Sequence, residues 1–114
     1  MARGGRQEVL AAVTAYRRAT RDLRSHLDDV DAGLETFVSL LKKGLSVTGL
    51  LVSTDASARR LEFVDAMSEF EDNRRRLRVA LLRLGAQHGE SVADMARAVG
   101  ISRQLAYRLM AEEP

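Results

Sequence analysis

Gln104 and Arg108, near the end of the chain, carry the most specific chemistry in the sequence. They stand four residues apart, so on a helix they share a face. Glutamine can bond adenine bidentately through N6 and N7, and arginine can bond guanine through O6 and N7. Arg103 can face outward with them. Ser91 and Ser102 each precede an apolar run, where a serine hydroxyl caps a helix. Such a cap, with the free N–H groups of the first turn, also suits a phosphate. The pattern points to duplex DNA. The competing reading is that these polar side chains only solvate a small helical domain of a kind that contacts protein.

The elements that must position them form a helix-turn-helix. Ser91 starts a helix in which Asp94 faces the positive end of the dipole and can reach back to the cap. Met95, Ala96 and Val99 make its apolar face. Gly100 supplies the left-handed residue at its end, and Ile101 plugs the turn. Ser102 caps a second helix over about 103–111, which turns Leu105, Ala106 and Leu109 inward. Ala96 is small enough for the two helices to cross closely.

The pattern Ala96-x-x-x-Gly100-Ile101-Ser102, followed by Tyr107-Arg108, resembles the C-terminal DNA-binding domain of the resolvase and invertase recombinases and related transposases. The resemblance covers residues 91–110 and says nothing of the first 70. No recombinase catalytic domain fits in the chain. The resemblance implies that the second helix enters the major groove. It places Gln104 and Arg108 at base edges, and Ser102, Arg103 and Tyr107 near phosphates.

Composition narrows the rest. The 114 residues hold no Cys and no Trp, and two His, His26 and His88, that stand apart. Disulfides, thiolate metal sites and cysteine nucleophiles are excluded, and a histidine metal site is not expected. With no glycine-rich phosphate loop and no recognisable catalytic constellation, the chain reads as no enzyme, with no cofactor. Carboxylate pairs such as Asp28-Asp29 lie on amphipathic helices, where solvated charge is the default. No run reaches the ~20 apolar residues of a membrane span, and the basic start lacks a signal peptide's apolar stretch. A cytoplasmic, nucleoid-associated location is the expectation. Sixteen of the eighteen basic residues are Arg, as in a GC-rich bacterial genome. Net charge is +2, but residues 75–114 carry seven Arg against four acids, which makes this end the better match for a polyanion.

From about residue 7 to 43 the apolar residues keep one register: Val9, Val13, Tyr16, Leu23, Leu27, Val30, Leu34, Phe37 and Leu41, with Thr20 in the skipped place. This heptad predicts a long bundle or coiled-coil helix. Arg17, Arg18, Arg21 and Arg24 precede Asp28, Asp29, Asp31 and Glu35, an asymmetry that antiparallel copies could use for pairing. Gly33 weakens the helix by about 1 kcal/mol relative to Ala. The uncharged stretch 44–54 reads as the turn, with room for a short helical piece. Its Leu45, Val47, Leu50, Leu51 and Val52 are too apolar for a plain exposed loop, so core, interface and effector site all stay open for it.

Thr54 or Asp55 can cap a second long helix, 55–87, with a seam of Phe63, Met67, Phe70, Leu77, Leu81 and Leu84. Arg74 occupies a seam position and marks the end of the buried stretch or a register device. Residues 72–76 read as a neck through which the helix continues, so that its last part becomes the first helix of the head. Arg75, Arg76, Arg78 and Arg83 are candidate DNA-backbone contacts, weighed evenly against a merely solvated face.

The expectation is an all-α chain: an antiparallel helical hairpin or coiled-coil arm over 1–74, then a trihelical helix-turn-helix head over 75–114. Its expected function is sequence-specific binding of double-stranded DNA, as a small bacterial transcriptional regulator that homodimerises through the arm. Two heads are needed because one makes few phosphate contacts. The alternative is a coiled-coil adaptor whose head binds a protein partner.

Overall fold

The absence of proline before the last residue, together with the heptads, lets two helices run uninterrupted for most of the chain. The computed structural model describes residues 2–112, with side chains from residue 5. The described residues are all-α: α1 (Ala2–Lys42), α2 (Val47–Ser53), α3 (Ala56–Gln87), α4 (Val92–Val99) and α5 (Arg103–Ala111). None of these helices is long and apolar enough to cross a membrane.

The turn stretch is more helical than a loop. Ser46 caps α2, its hydroxyl accepting a 3.1 Å bond from the N–H of Gly49, and Leu50 is fully buried. Val47 and Val52 are exposed. Thr54 does not cap the next helix, because its hydroxyl turns back to the Leu50 carbonyl at 2.8 Å. Asp55 takes the positive φ of the corner, 54°, and its carbonyl accepts from the N–H of Arg59 in the first turn of α3.

The chain forms two compact units, Arg18–Phe70 and the pair of segments Met1–Arg17 and Glu71–Pro114. On α1 the buried residues are small and recur every seven positions, beside the apolar seam, until His26 takes the next place in the row. Gly5 and Ala12 are buried in the two-segment unit, and Ala19 is buried in the other. A Cβ on Gly5 would strike the side-chain oxygen of Gln87 and lie 3.1 Å from Leu84 Cδ1. In the second unit a Cβ on Gly33 would lie 2.6 Å from Arg59 Nη1. On α3 the buried small residues are Ala80 and Ala66 respectively.

Placing the row at Gly5, Ala12 and Ala19 leaves part of the expected seam outside. Leu27, Val30, Leu34, Leu41, Met67 and Leu81 are exposed. Arg74 does not end the buried stretch: it is half-buried, paired with Glu71 at 3.1 Å, and burial resumes at Ala80 and Leu82. The hydrogen bonds it donates to the Glu71 carboxylate also hold the Arg74 guanidinium pKa above its ordinary value.

Candidate nucleic-acid interface

The head is built on four buried side chains, Leu82 from α3, Ala96 from α4, and Ala106 and Leu109 from α5. Val79, Val92, Met95, Ile101, Leu105 and Met110 pack around them. The end of α3 is therefore the first helix of a trihelical core. Ala96 and Ala106, at 2% and 0% exposure, are where the crossing helices need the smallest side chains. Gly85 has a similar duty on α3, since any Cβ there would collide with the sulfur of Met95. Val99 departs from the expected apolar face and is exposed, and Val92 fills that role instead.

The turn between α4 and α5 is fixed by its backbone. Gly100 has φ 78° and ψ 32°, the left-handed region that costs a residue with a Cβ about 1–2 kcal/mol. This lets the N–H of Ile101 bond the carbonyl of Ala96 at 2.9 Å and closes the end of α4. Both starts are capped as the serines suggest. Ser91 Oγ accepts from the N–H of Asp94 at 3.2 Å, and Ser102 Oγ accepts from the N–H of Leu105 at 3.0 Å. The Asp94 carboxylate pairs with Arg97 on the same helix.

These constraints aim one face of α5 at solvent. Ser102, Arg103, Gln104, Tyr107 and Arg108 are all exposed. Among the described residues, the side chains of Arg103, Gln104, Tyr107 and Arg108 enter no ion pair or hydrogen bond. Gln104 and Arg108 lie one turn apart on that face, with Arg103 and Tyr107 beside them. Ser91 is exposed at the start of α4.

The arginines of α3 divide into two kinds. Arg83 donates from Nε to the Met110 carbonyl at 3.0 Å and from Nη2 to the Glu112 carbonyl. Arg75 grips the Glu112 carboxylate with both Nε, at 3.1 Å, and Nη2. These two hold the end of α5 against α3. The bond to Glu112 raises the Arg75 pKa, and the same bond holds the Glu112 carboxyl below its ordinary value against a smaller opposing desolvation. Arg76 is exposed and Arg78 half-buried, with no ion pair for either among the described residues. A cleft of about 290 Å³ beside Arg75, Arg76 and Arg83 also contains Glu8, Asp72 and Glu112. Its balanced charge suits no anion.

Sequence reasoning missed Glu112 and the capping role of Arg83. Both depend on contacts between residues 27 and 37 positions apart, which no local pattern announces. Gly85 was visible as a glycine in a run of helix formers, but its partner Met95 was not. Comparison of the chain with protein-family models, with curated proteins and with solved structures gives no match.

Proposed function

We propose that this chain is a sequence-specific DNA-binding protein, a small bacterial transcriptional regulator that reads the major groove with α5 and dimerises through its helical hairpin. One observation carries the reading: a left-handed glycine turn joins two serine-capped helices and leaves Arg103, Gln104, Tyr107 and Arg108 exposed and unpaired on the second. Gln104 and Arg108 are the base-reading pair. Ser102, Arg103 and Tyr107, with Ser91 on α4, are the phosphate contacts that set register. Arg76 and Arg78 are free to add backbone contacts, whereas Arg75 and Arg83 must leave their places on Glu112 and Met110 to do so. Two heads on half-sites about one helical turn apart give specific affinity. On this reading the protein resides on the nucleoid and needs no cofactor.

A protein-binding head is the second reading. A cleft of about 400 Å³ beside α3 and α4 favours it, lined by Leu81, Leu84, Met95 and Val99 together with Arg6, His88 and Glu90. Fluorescence anisotropy with random duplex, titrated in salt, separates the two. DNA binding should weaken steeply with salt and weaken further in the Gln104→Ala/Arg108→Ala variant. No binding by the wild type at low salt would remove the DNA reading and leave the adaptor.

A further inference from the structure

Within residues 18–70, α1, α2 and α3 enclose a cleft of about 400 Å³. Val30, Leu34 and Phe37 of α1 line it, with Leu51 of α2 and Phe63 of α3, and none of the five is buried. Protein interiors close-pack, so apolar side chains converging from three helices ordinarily fill the space between them. Here the middle of each wall prevents it. Gly33 on α1 brings no side chain, and Arg59 and Arg60 on α3 bring charges that an apolar core does not accept. An apolar cavity of about 150 Å³ takes benzene, and small-molecule sites run from about 300 to 1,000 Å³. The cleft is therefore of a size for a small apolar ligand.

The charges on the cleft state what the ligand's other end is. Arg59 and Arg60 are exposed, and neither side chain joins an ion pair or hydrogen bond among the described residues. The Arg59 guanidinium lies against Gly33, with Nη1 2.6 Å from where a Cβ would stand. A glycine in mid-helix weakens α1, and here it gives a guanidinium its place on the cleft. The flat fork of a guanidinium fits a carboxylate bidentately. Thr36 and Thr54 border the cleft too, but their hydroxyls already donate to the carbonyls of Ala32 and Leu50. Glu62 is the one acid among the lining residues, so two positive charges stand against one negative. That balance suits a singly charged anion and not a phosphate dianion.

We propose that this cleft binds a small apolar monocarboxylate, with its hydrocarbon body between Phe37, Leu51 and Phe63 and its carboxylate on Arg59, Arg60 beside it. The bound body completes the core that the three helices leave open, and it covers Val30 and Leu34, which are 38% and 57% exposed without it. The carboxylate supplies the partner that the Arg59 guanidinium lacks within the chain. The site contains none of the residues assigned to DNA, so either reading can fail alone.

Octanoate and 1-octanol share one apolar body and differ in charge, which makes them the probes. Titrated into the full chain and followed by backbone amide NMR, octanoate should saturate, with shifts gathered at Gly33, Leu34, Phe37, Leu51 and Phe63. Octanol should bind at the same place about tenfold or more weakly, and Arg59→Gln should bring octanoate down to that level. Because Arg59 is exposed and has no partner, Arg59→Gln should leave the fold and the octanol affinity unchanged. Glu62→Gln should tighten octanoate, since it removes the like charge beside the carboxylate. Octanoate that does not saturate, shifts gathered in the head, or equal affinities for octanoate and octanol would each overturn the site. So would an octanoate affinity that falls as the chain self-associates in sedimentation equilibrium, which would give the cleft to a second copy.

Discussion

Arg83 reaches across the head to cap a helix it does not belong to: its Nε donates to the carbonyl of Met110 at 3.0 Å. The last carbonyls of a helix have no partners within it, and here a guanidinium supplies them. Hydrogen bonds to a charged group contribute about 1.5–3 kcal/mol each when partly buried. Arg83→Met, which keeps the apolar stem, should lower head stability by about 1–3 kcal/mol. Urea denaturation followed by circular dichroism reads this, and an unchanged midpoint would show that water replaces the guanidinium at no cost.

The Glu112 carboxyl lies below its ordinary pKa because Arg75 donates to it. A depressed folded-state pKa means stabilisation that is fully present above the unfolded value, about 4.3, and is lost as pH falls through the lower folded value. Wild type should therefore melt above Glu112→Gln at neutral pH, and the gap should close in acid. A gap that persists in strong acid would assign the effect to packing instead of charge.

Gly100 has a φ of 78°, and nothing lies within 4 Å of where its Cβ would be. Space is therefore not the constraint, and Gly100→Ala should cost only the backbone strain, about 1–2 kcal/mol. Gly85→Ala is the contrasting case, with an ordinary helical backbone and the Met95 sulfur in the way. Gly85→Ala/Met95→Ala should recover part of the loss from Gly85→Ala, whereas Met95→Ala should rescue nothing in Gly100→Ala. Thermal melts of the four variants decide this, and rescue of Gly100→Ala would refute the strain account.

Arg108→Ala should weaken binding to a cognate site by about 1–3 kcal/mol while leaving random duplex little changed. Arg103→Ala should weaken both alike and lower the salt slope by about one. Anisotropy on the two duplexes measures it. Equal losses from Arg108→Ala on both would make Arg108 a phosphate contact.

The head was legible because each of its signals is local. Ser91, Gly100 and Ser102 announce caps and a turn by type and spacing alone, and the structure places all three as expected. The hairpin was legible as two helices but not in its contact row. Leu and Val dominate a hydrophobic pattern, so the seam drew attention, while Gly5, Ala12 and Ala19 carry little hydrophobic signal even though helices approach most closely over small residues. The register of a two-helix contact is a non-local property, and so is the fate of Arg75 and Arg83, whose partners sit at the far end of the chain. Thr54 illustrates a local ambiguity: a threonine between two helices can cap the next or close the last, and here it closes the last.

The unit containing α4 and α5 takes in both the first and the last stretches of the sequence, while Arg18–Phe70 is contiguous. During synthesis the contiguous unit has all its residues as soon as Phe70 leaves the ribosome. The opening turns of α1 must wait for the segment from Glu71 on. The nascent chain therefore holds an apolar hairpin before it holds a head.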